Sequence, residues 1–239
     1  MEIESVECEI RDFCHKYADP AVITKYTRYF VEGYNAYGVP LKLIEEEHRL
    51  LSTRYFKELG LSGFLDLGDR LIRTGKFEEA SFAVLFATDF AEDYTPAIFE
   101  RLGRWLDDGV CNWAHADMLA GNVFSIFLLK GIVPYTALAP WRSAESKWKR
   151  RVVPVSLIKM LDRLPQLEEV LEFLSPMMRM PEKVVHQGLG WFLREAWKRN
   201  PQPVEEFLFV WKDSAPRLIF QYATEKMTGE QKARFRRAK

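Results

Sequence analysis

Apolar residues along this chain recur at helical spacing, and Pro or Gly interrupts them at short intervals. Asp19-Pro20 predicts a helix start, with the carboxylate as cap and the proline in the first turn. That helix is predicted to run to about Gly33, with Tyr26, Tyr29, Phe30 and Tyr34 crowding one side. Gly38-Val39-Pro40 breaks the pattern, and a polar helix follows from Leu41 to about Leu59. Ser62 caps the next, which ends near Gly75. Phe77 to Phe90 predicts a buried helix, because Ala80, Phe82, Ala83, Val84, Leu85 and Phe86 leave little polar surface. Thr95-Pro96 opens a helix ending near Gly109, and Cys111 to Lys130 forms another, closed by Gly131 and Pro134. Ala144 to Leu164 is helical around Pro154, which is expected to kink it or mark its first turns. Pro165, Pro181 and Pro201 punctuate three more helices, and Ser214-Ala215-Pro216 opens a further one. Gly229 leads into a basic tail over about 228–239. β-branched alternation is nearly absent, so no strands are predicted. The expected architecture is all-α, an array of antiparallel helices.

Three stretches combine tryptophan with charge. Asn112-Trp113-Ala114-His115-Ala116-Asp117 holds an aromatic and a carboxylate four residues apart, which a helix places on one face. Lys147-Trp148-Lys149-Arg150-Arg151 and Gly190-Trp191-Phe192-Leu193-Arg194-Glu195 repeat the style. Trp113 and Arg151 are 38 positions apart, and Arg151 and Trp191 are 40 apart. A period of about 40 is that of a HEAT-like helical pair, and residues one period apart line the same surface of a solenoid. The spacing predicts an α-α superhelix, one domain over 1–239, with these stretches on a concave wall made electropositive by Lys147, Lys149, Arg150, Arg151, Arg179 and Lys183.

Composition narrows the class. The 239 residues are 48% hydrophobic and 14% aromatic, enough for a sizeable core and against disorder. The acidic N-terminus does not resemble a signal peptide, and no run of about 18 apolar residues predicts a membrane span, so a cytoplasmic protein without a membrane partner is expected. Cys8, Cys14 and Cys111 show no CxxC spacing and are expected to be free thiols, with no metal site. The zero net charge hides an asymmetry: residues 1–110 hold 13 Lys+Arg against 21 Asp+Glu, and residues 111–239 hold 21 against 13. A basic C-terminal half can attract a polyanion.

The motifs, taken in order, carry a family resemblance. Arg28-Tyr29 precedes Tyr37-Gly38-Val39-Pro40; Phe77-Glu78-Glu79-Ala80 follows; then come Trp113 with Asp117, Trp148-Lys149-Arg150-Arg151, and Gly190-Trp191-Phe192-Leu193-Arg194-Glu195 with Asn200-Pro201. From about Arg28 to about Ala223 the chain resembles the HEAT-like-repeat DNA glycosylases of the AlkD type, which excise alkylated purines. The resemblance implies that Asp117 is the catalytic aspartate and that Trp113 and Trp191 flank the lesion's deoxyribose. It further implies that Arg151 lies beside the phosphate backbone and that Tyr29 lines the same cleft, with Trp148, Lys149 and Arg150 as further DNA contacts. Double-stranded DNA bearing N3- or N7-alkylated purines is the implied partner, met by a monomer without a cofactor and without flipping the base into a pocket. This sequence departs from the pattern at Ala114, where an acid is frequent, and at Pro40, where a polar residue is. A non-catalytic solenoid that binds unusual or branched DNA, and a protein-binding scaffold, stay open as alternatives.

The residue types suit that chemistry. A purine alkylated at N3 or N7 is already a good leaving group, and breaking its glycosidic bond leaves an oxocarbenium-like sugar. A nearby carboxylate stabilises that cation, and tryptophan faces attract cationic or polarised C–H groups. His115 is expected to face away from Trp113 and Asp117 as a structural or surface residue. Arg194-Glu195 is read as inter-helix ion pairing, and Gly188 and Gly190 as close helix packing.

Overall fold

The structure, a computed structural model, describes residues 3–163 and 166–237. Leu164, Pro165 and the last two residues of the predicted basic tail lie outside the described residues. Among the described residues there are thirteen α-helices and no strand, and none of the helices is long and apolar enough to cross a membrane. The chain divides into two compact units, Met1–Leu119 and Ala120–Lys239.

In the first unit, α1 (Ile3–Lys16) buries Val6, Ile10 and Cys14, one stripe at intervals of four. Asp19 caps α2 (Pro20–Thr27) by accepting from the Ala21 N–H at 2.8 Å. This helix stops at Thr27, short of the expected Gly33. Turn bonds take over, from Tyr29 N–H to the Tyr26 carbonyl and from Phe30 N–H to the Thr27 carbonyl, and Phe30 leaves the helix to pack on Trp113 and Phe77. The two helices predicted over 41–75 form α3 (Leu41–Arg73), which has its break at Gly60, φ 55° and ψ −170°. On α4 (Phe77–Asp89), Phe82, Ala83, Val84 and Phe86 are wholly buried, as its composition predicts. Thr95 caps α5 (Pro96–Asp108) through its hydroxyl, which accepts from the Ile98 N–H. The fully buried Trp105 of α5 anchors to α3 by donating to Asp69 at 2.6 Å. Burying a side chain of this size contributes roughly 2–3 kcal/mol. The unit ends with α6 (Trp113–Leu119).

The second unit opens on a five-residue π turn, Ala120–Phe124, and continues into α7 (Ser125–Leu129). The Ser125 hydroxyl donates to the Gly121 carbonyl at 2.5 Å inside this turn. Such turns interrupt α-helices at functional sites more often than elsewhere. A 3₁₀ segment, Tyr135–Ser143, precedes α8 (Lys147–Leu157), which Ser146 caps and which contains Pro154. The helix predicted to reach Leu164 thus ends at Leu157. After α9 (Leu167–Leu174), α10 (Lys183–Arg199) packs against both α8 and α12 (Arg217–Ala223). A Cβ on Gly190 would lie 2.4 Å from Tyr222 Cβ and 2.8 Å from the Ile219 carbonyl, so only glycine lets α10 and α12 approach this closely. Arg194 reaches from α10 to Glu225, just past the end of α12, at 2.5 Å and also pairs with Glu195, the ion-pairing role expected of it. The unit is completed by α11 (Pro201–Trp211) and α13 (Gly229–Ala233).

Candidate active site

The first unit holds an apolar cleft of about 430 Å³ walled by Tyr26, Tyr29, Phe30, Tyr34, Phe77 and Trp113, with Ala114 and Met118 on the α6 side. Its aromatic wall is continuous. Phe30 stacks on Trp113 at 5.6 Å and on Tyr34 at 4.6 Å, and Phe77 meets Tyr34 edge-on at 5.1 Å. Trp113 remains 39% exposed and Tyr29 50% exposed. The indole N–H of Trp113 donates to the Tyr29 carbonyl at 3.0 Å, which fixes the ring without burying it. Asp117 is half-buried, and does not itself line the cleft. Four residues on from Trp113, it projects within about 40° of it around the helix, one turn further along. Burial, then the charge of Glu78 and the neighbouring Tyr26, push the Tyr34 hydroxyl up to about 12, so it stays a neutral donor.

Two buried networks hold these walls. Glu78, wholly buried on α4, accepts from the backbone N–H groups of Tyr37, Gly38 and Val39 at 2.9, 2.7 and 3.0 Å. Glu79 beside it accepts from the Tyr37 hydroxyl at 2.7 Å. Gly38 has φ 88°, and a Cβ there would stand 2.2 Å from the Asp19 carbonyl, so this residue must be glycine. The loop that follows α2 and leads into Val39 is thereby pinned to α4.

The second network sets the start of α6. The Asn112 side-chain oxygen accepts from the His115 N–H at 3.0 Å, capping the helix, while its amide nitrogen contacts His115 Nδ1 at 2.9 Å. His115 Nε2 then donates to Ser81 Oγ at 3.0 Å, and Ser81 donates to the Phe77 carbonyl at 2.8 Å. His115 is 1% exposed: it is structural, and it sets the direction of the helix that carries Trp113 and Asp117. Burial lowers its imidazole to about 4, against a smaller opposing effect of the Phe77 backbone. The unfolded chain, with an ordinary histidine near 6.5, therefore binds a proton that the native state refuses. This contribution to stability is full above about pH 6.5 and is lost as pH falls toward 4, a total of about 3 kcal/mol. Urea unfolding of the parent and of His115→Gln at pH 7 and pH 4 checks this: the parent's advantage is expected to shrink by about that amount. A pH-independent difference would show that His115 does not titrate on unfolding.

In the second unit several expected DNA contacts are otherwise engaged. Trp148 is only 7% exposed, so it offers packing volume to the core rather than an open face. Arg150 pairs with Glu182 and donates to the Ala144 and Glu145 carbonyls. Arg151, 6% exposed, donates to the Val184 carbonyl at 2.7 Å. Both arginines thus tie α8 to the start of α10. Lys149 is half-buried, with its ammonium 5.2 Å from the centre of the Trp141 ring. Trp191 is half-buried on α10.

Phe30 and Ser81 belong to the site although no motif singled them out, and the motif that starts at Phe77 gave that residue no role there; their aromatic and hydroxyl character gave no signal distinguishing them from core. A Ser52–His48–Asp89 cluster elsewhere in the first unit does not make a nucleophile. Ser52 donates to Asp89 Oδ2 at 2.5 Å, and His48 Nε2 lies 2.9 Å from the same oxygen and 3.2 Å from Ser52 Oγ, so the hydroxyl is turned to the carboxylate and not to the imidazole as a nucleophile's would be.

An all-helical chain with an aromatic cleft and an acid one helical turn from an open tryptophan now has a family. The profile of the family described as "DNA alkylation repair enzyme" matches residues 11–227, and the chain belongs to that family. A role in DNA repair follows. The fold is similar to that of a solved protein from Enterococcus faecalis described as a predicted DNA alkylation repair enzyme, with a TM-score of 0.72 and 16% identity over 88% of this chain and 97% of that one. It is also similar to AlkD2 from Streptococcus mutans, with a TM-score of 0.57 and 19% identity over 76% of this chain and 89% of that one. The protein described as smu.31 from Streptococcus mutans UA159 gives 0.58 and 17% over 79% and 97%. No curated protein matches the sequence at a significant level.

Proposed function

We propose that the protein is an alkylpurine DNA glycosylase that acts as a monomer on duplex DNA, with Asp117 as the group that stabilises the reacting sugar. The observation that carries this is Trp113: a tryptophan whose ring stays 39% exposed while its N–H is spent on the Tyr29 carbonyl, on the helix face that Asp117 shares. In the proposed reaction the bond between C1′ and the cationic purine breaks, and the bonding pair leaves with the base, neutralising it. Water adds to C1′ and gives up its proton to solvent. Positive charge grows on the sugar as the bond breaks, and the Asp117 carboxylate opposes it there. Trp113 supplies a face that favours polarised C–H groups. A neutral Tyr34 and the open Tyr29 ring suit contact with sugar and base rather than proton transfer. Lys149 is the proposed phosphate contact of the second unit, and Arg150 and Arg151 act by holding the start of α10.

A second reading, DNA binding without excision, is favoured by one observation: Asp117 stands outside the lining of the cleft. Incubation with duplex carrying 7-methylguanine, followed by detection of free base, separates the two. Release of 7-methylguanine is expected; tight binding with no release would leave the binding-only reading.

A further inference from the structure

The C-terminal stretch carries charge for which the aromatic cleft has no use. Residues 212–237 contain seven Lys+Arg against three Asp+Glu. Some of these cations are spoken for: Arg234 pairs with Glu205 at 2.7 Å, and Lys226 with Glu225 at 3.0 Å. Arg217 and Arg237 are held differently. Arg217 Nη1 donates to the Phe235 carbonyl at 2.9 Å, and Arg237 Nη2 donates to the Ala215 carbonyl at 2.9 Å. The two bonds run in opposite directions between residues 215–217 and 235–237, so they clasp one segment to the other. Ala215 and Phe235 are buried beneath the clasp, which fixes the main chain on both sides. Among the described residues neither guanidinium has a carboxylate partner, and the exposed Arg236 beside them has none either.

Two like charges drawn together without a counter-charge are held at a cost. Burial, and then the charge of Arg237, lower the Arg217 guanidinium from its ordinary value. Each of the clasped arginines spends one of about five N–H donors on a carbonyl, and a guanidinium's remaining donors match phosphate oxygens in a planar fork. A phosphate would relieve the repulsion and use those donors.

We propose that Arg217, Arg236 and Arg237 form an anchoring site for the phosphate backbone of duplex DNA, built from residues that the aromatic cleft does not use. DNA is the polyanion chosen because the chain belongs to a DNA repair family. A phosphate contact is indifferent to sequence and to damage, so the site engages unmodified duplex. It does not depend on the excision chemistry proposed above.

The test uses the full chain and a short unmodified duplex, with Kd measured at several salt concentrations. Each phosphate neutralised contributes about 0.9 to the slope of log affinity against log salt, so a variant with all three arginines changed to Gln is expected to lose about 2.7 from that slope. Arg217 and Arg237 also hold main-chain carbonyls, so a triple Lys variant, which keeps the charge but not the clasp geometry, is measured beside it, with thermal midpoints of both. A flatter slope in the Gln variant and a nearly parental slope in the Lys variant support the site. An unchanged slope in the Gln variant overturns it, as does equal flattening in both, which would mark the clasp as structural. Loss of binding to phosphatidylserine vesicles with no change in the DNA slope also overturns it, in favour of a lipid surface. Failure to release 7-methylguanine bears on the glycosylase proposal alone and leaves these outcomes unaffected.

Discussion

Asp117→Asn is expected to bind alkylated duplex as well as the parent protein, or slightly better, while releasing 7-methylguanine about 10²–10³ times more slowly in a single turnover. Asparagine keeps the size of the side chain and one of its acceptors but removes the charge. That charge opposes the cation only while the glycosidic bond is breaking, so its loss falls on the chemical step. Toward the anionic duplex itself a carboxylate is neutral or unfavourable, so the ground state does not suffer. The expected factor corresponds to about 3–4 kcal/mol of transition-state stabilisation. The single-turnover rate constant and Kd, measured on one lesion-bearing duplex, separate the two effects. Parental rates of release in a folded Asn variant would make Asp117 an ordinary helix acid and move the assignment to DNA binding without excision.

Glu78→Ala is expected to cost on the order of 4 kcal/mol of unfolding free energy, the largest stability effect of any single residue around the cleft. The wholly buried carboxylate accepts from three consecutive backbone N–H groups, those of Tyr37, Gly38 and Val39. Each buried donor left without a partner costs about 1–3 kcal/mol, and water entering the vacated space recovers part of the sum. Glu78→Gln is expected to recover part of the loss, because its amide oxygen can still accept from Gly38 and Val39 while the NH₂ would face the Tyr37 N–H. Val39 is part of the cleft wall, so loosening this loop also loosens the site. Urea unfolding of both variants reads the effect directly. A loss below about 1 kcal/mol in the Ala variant would show that the loop holds itself without Glu78.

Much of the helical framework is legible in the chain because its signals are local. Asp19 and Thr95 each cap a helix with an atom two or three residues from the N–H it accepts, and such a pair is visible in sequence. Gly60 marks a break inside α3 for the same reason: backbone at φ 55° belongs to glycine. The close approach at Gly190 was equally readable as a missing side chain on a helix, although its partners on α12 were not.

What the tertiary structure decided lies in contacts between residues far apart along the chain. Local pattern carries α2 on to Gly33, yet the helix ends at Thr27 because Phe30 gains more by packing on Phe77 and Trp113 than by continuing a helical ladder. Trp148, Arg150 and Arg151 look alike as a basic, aromatic run, but Glu182 and the Val184 carbonyl, more than thirty residues on, draw both guanidiniums into ion pairing and main-chain bonding. His115 reads as incidental until Ser81 supplies its partner from 34 residues away. By itself the sequence determined the helices, the family motifs and the acid beside its tryptophan, because propensity, capping and spacing act over a few residues. Which aromatics stay open, which cations are already paired and which histidine is kept neutral depends on burial, and burial is a property of the packed chain.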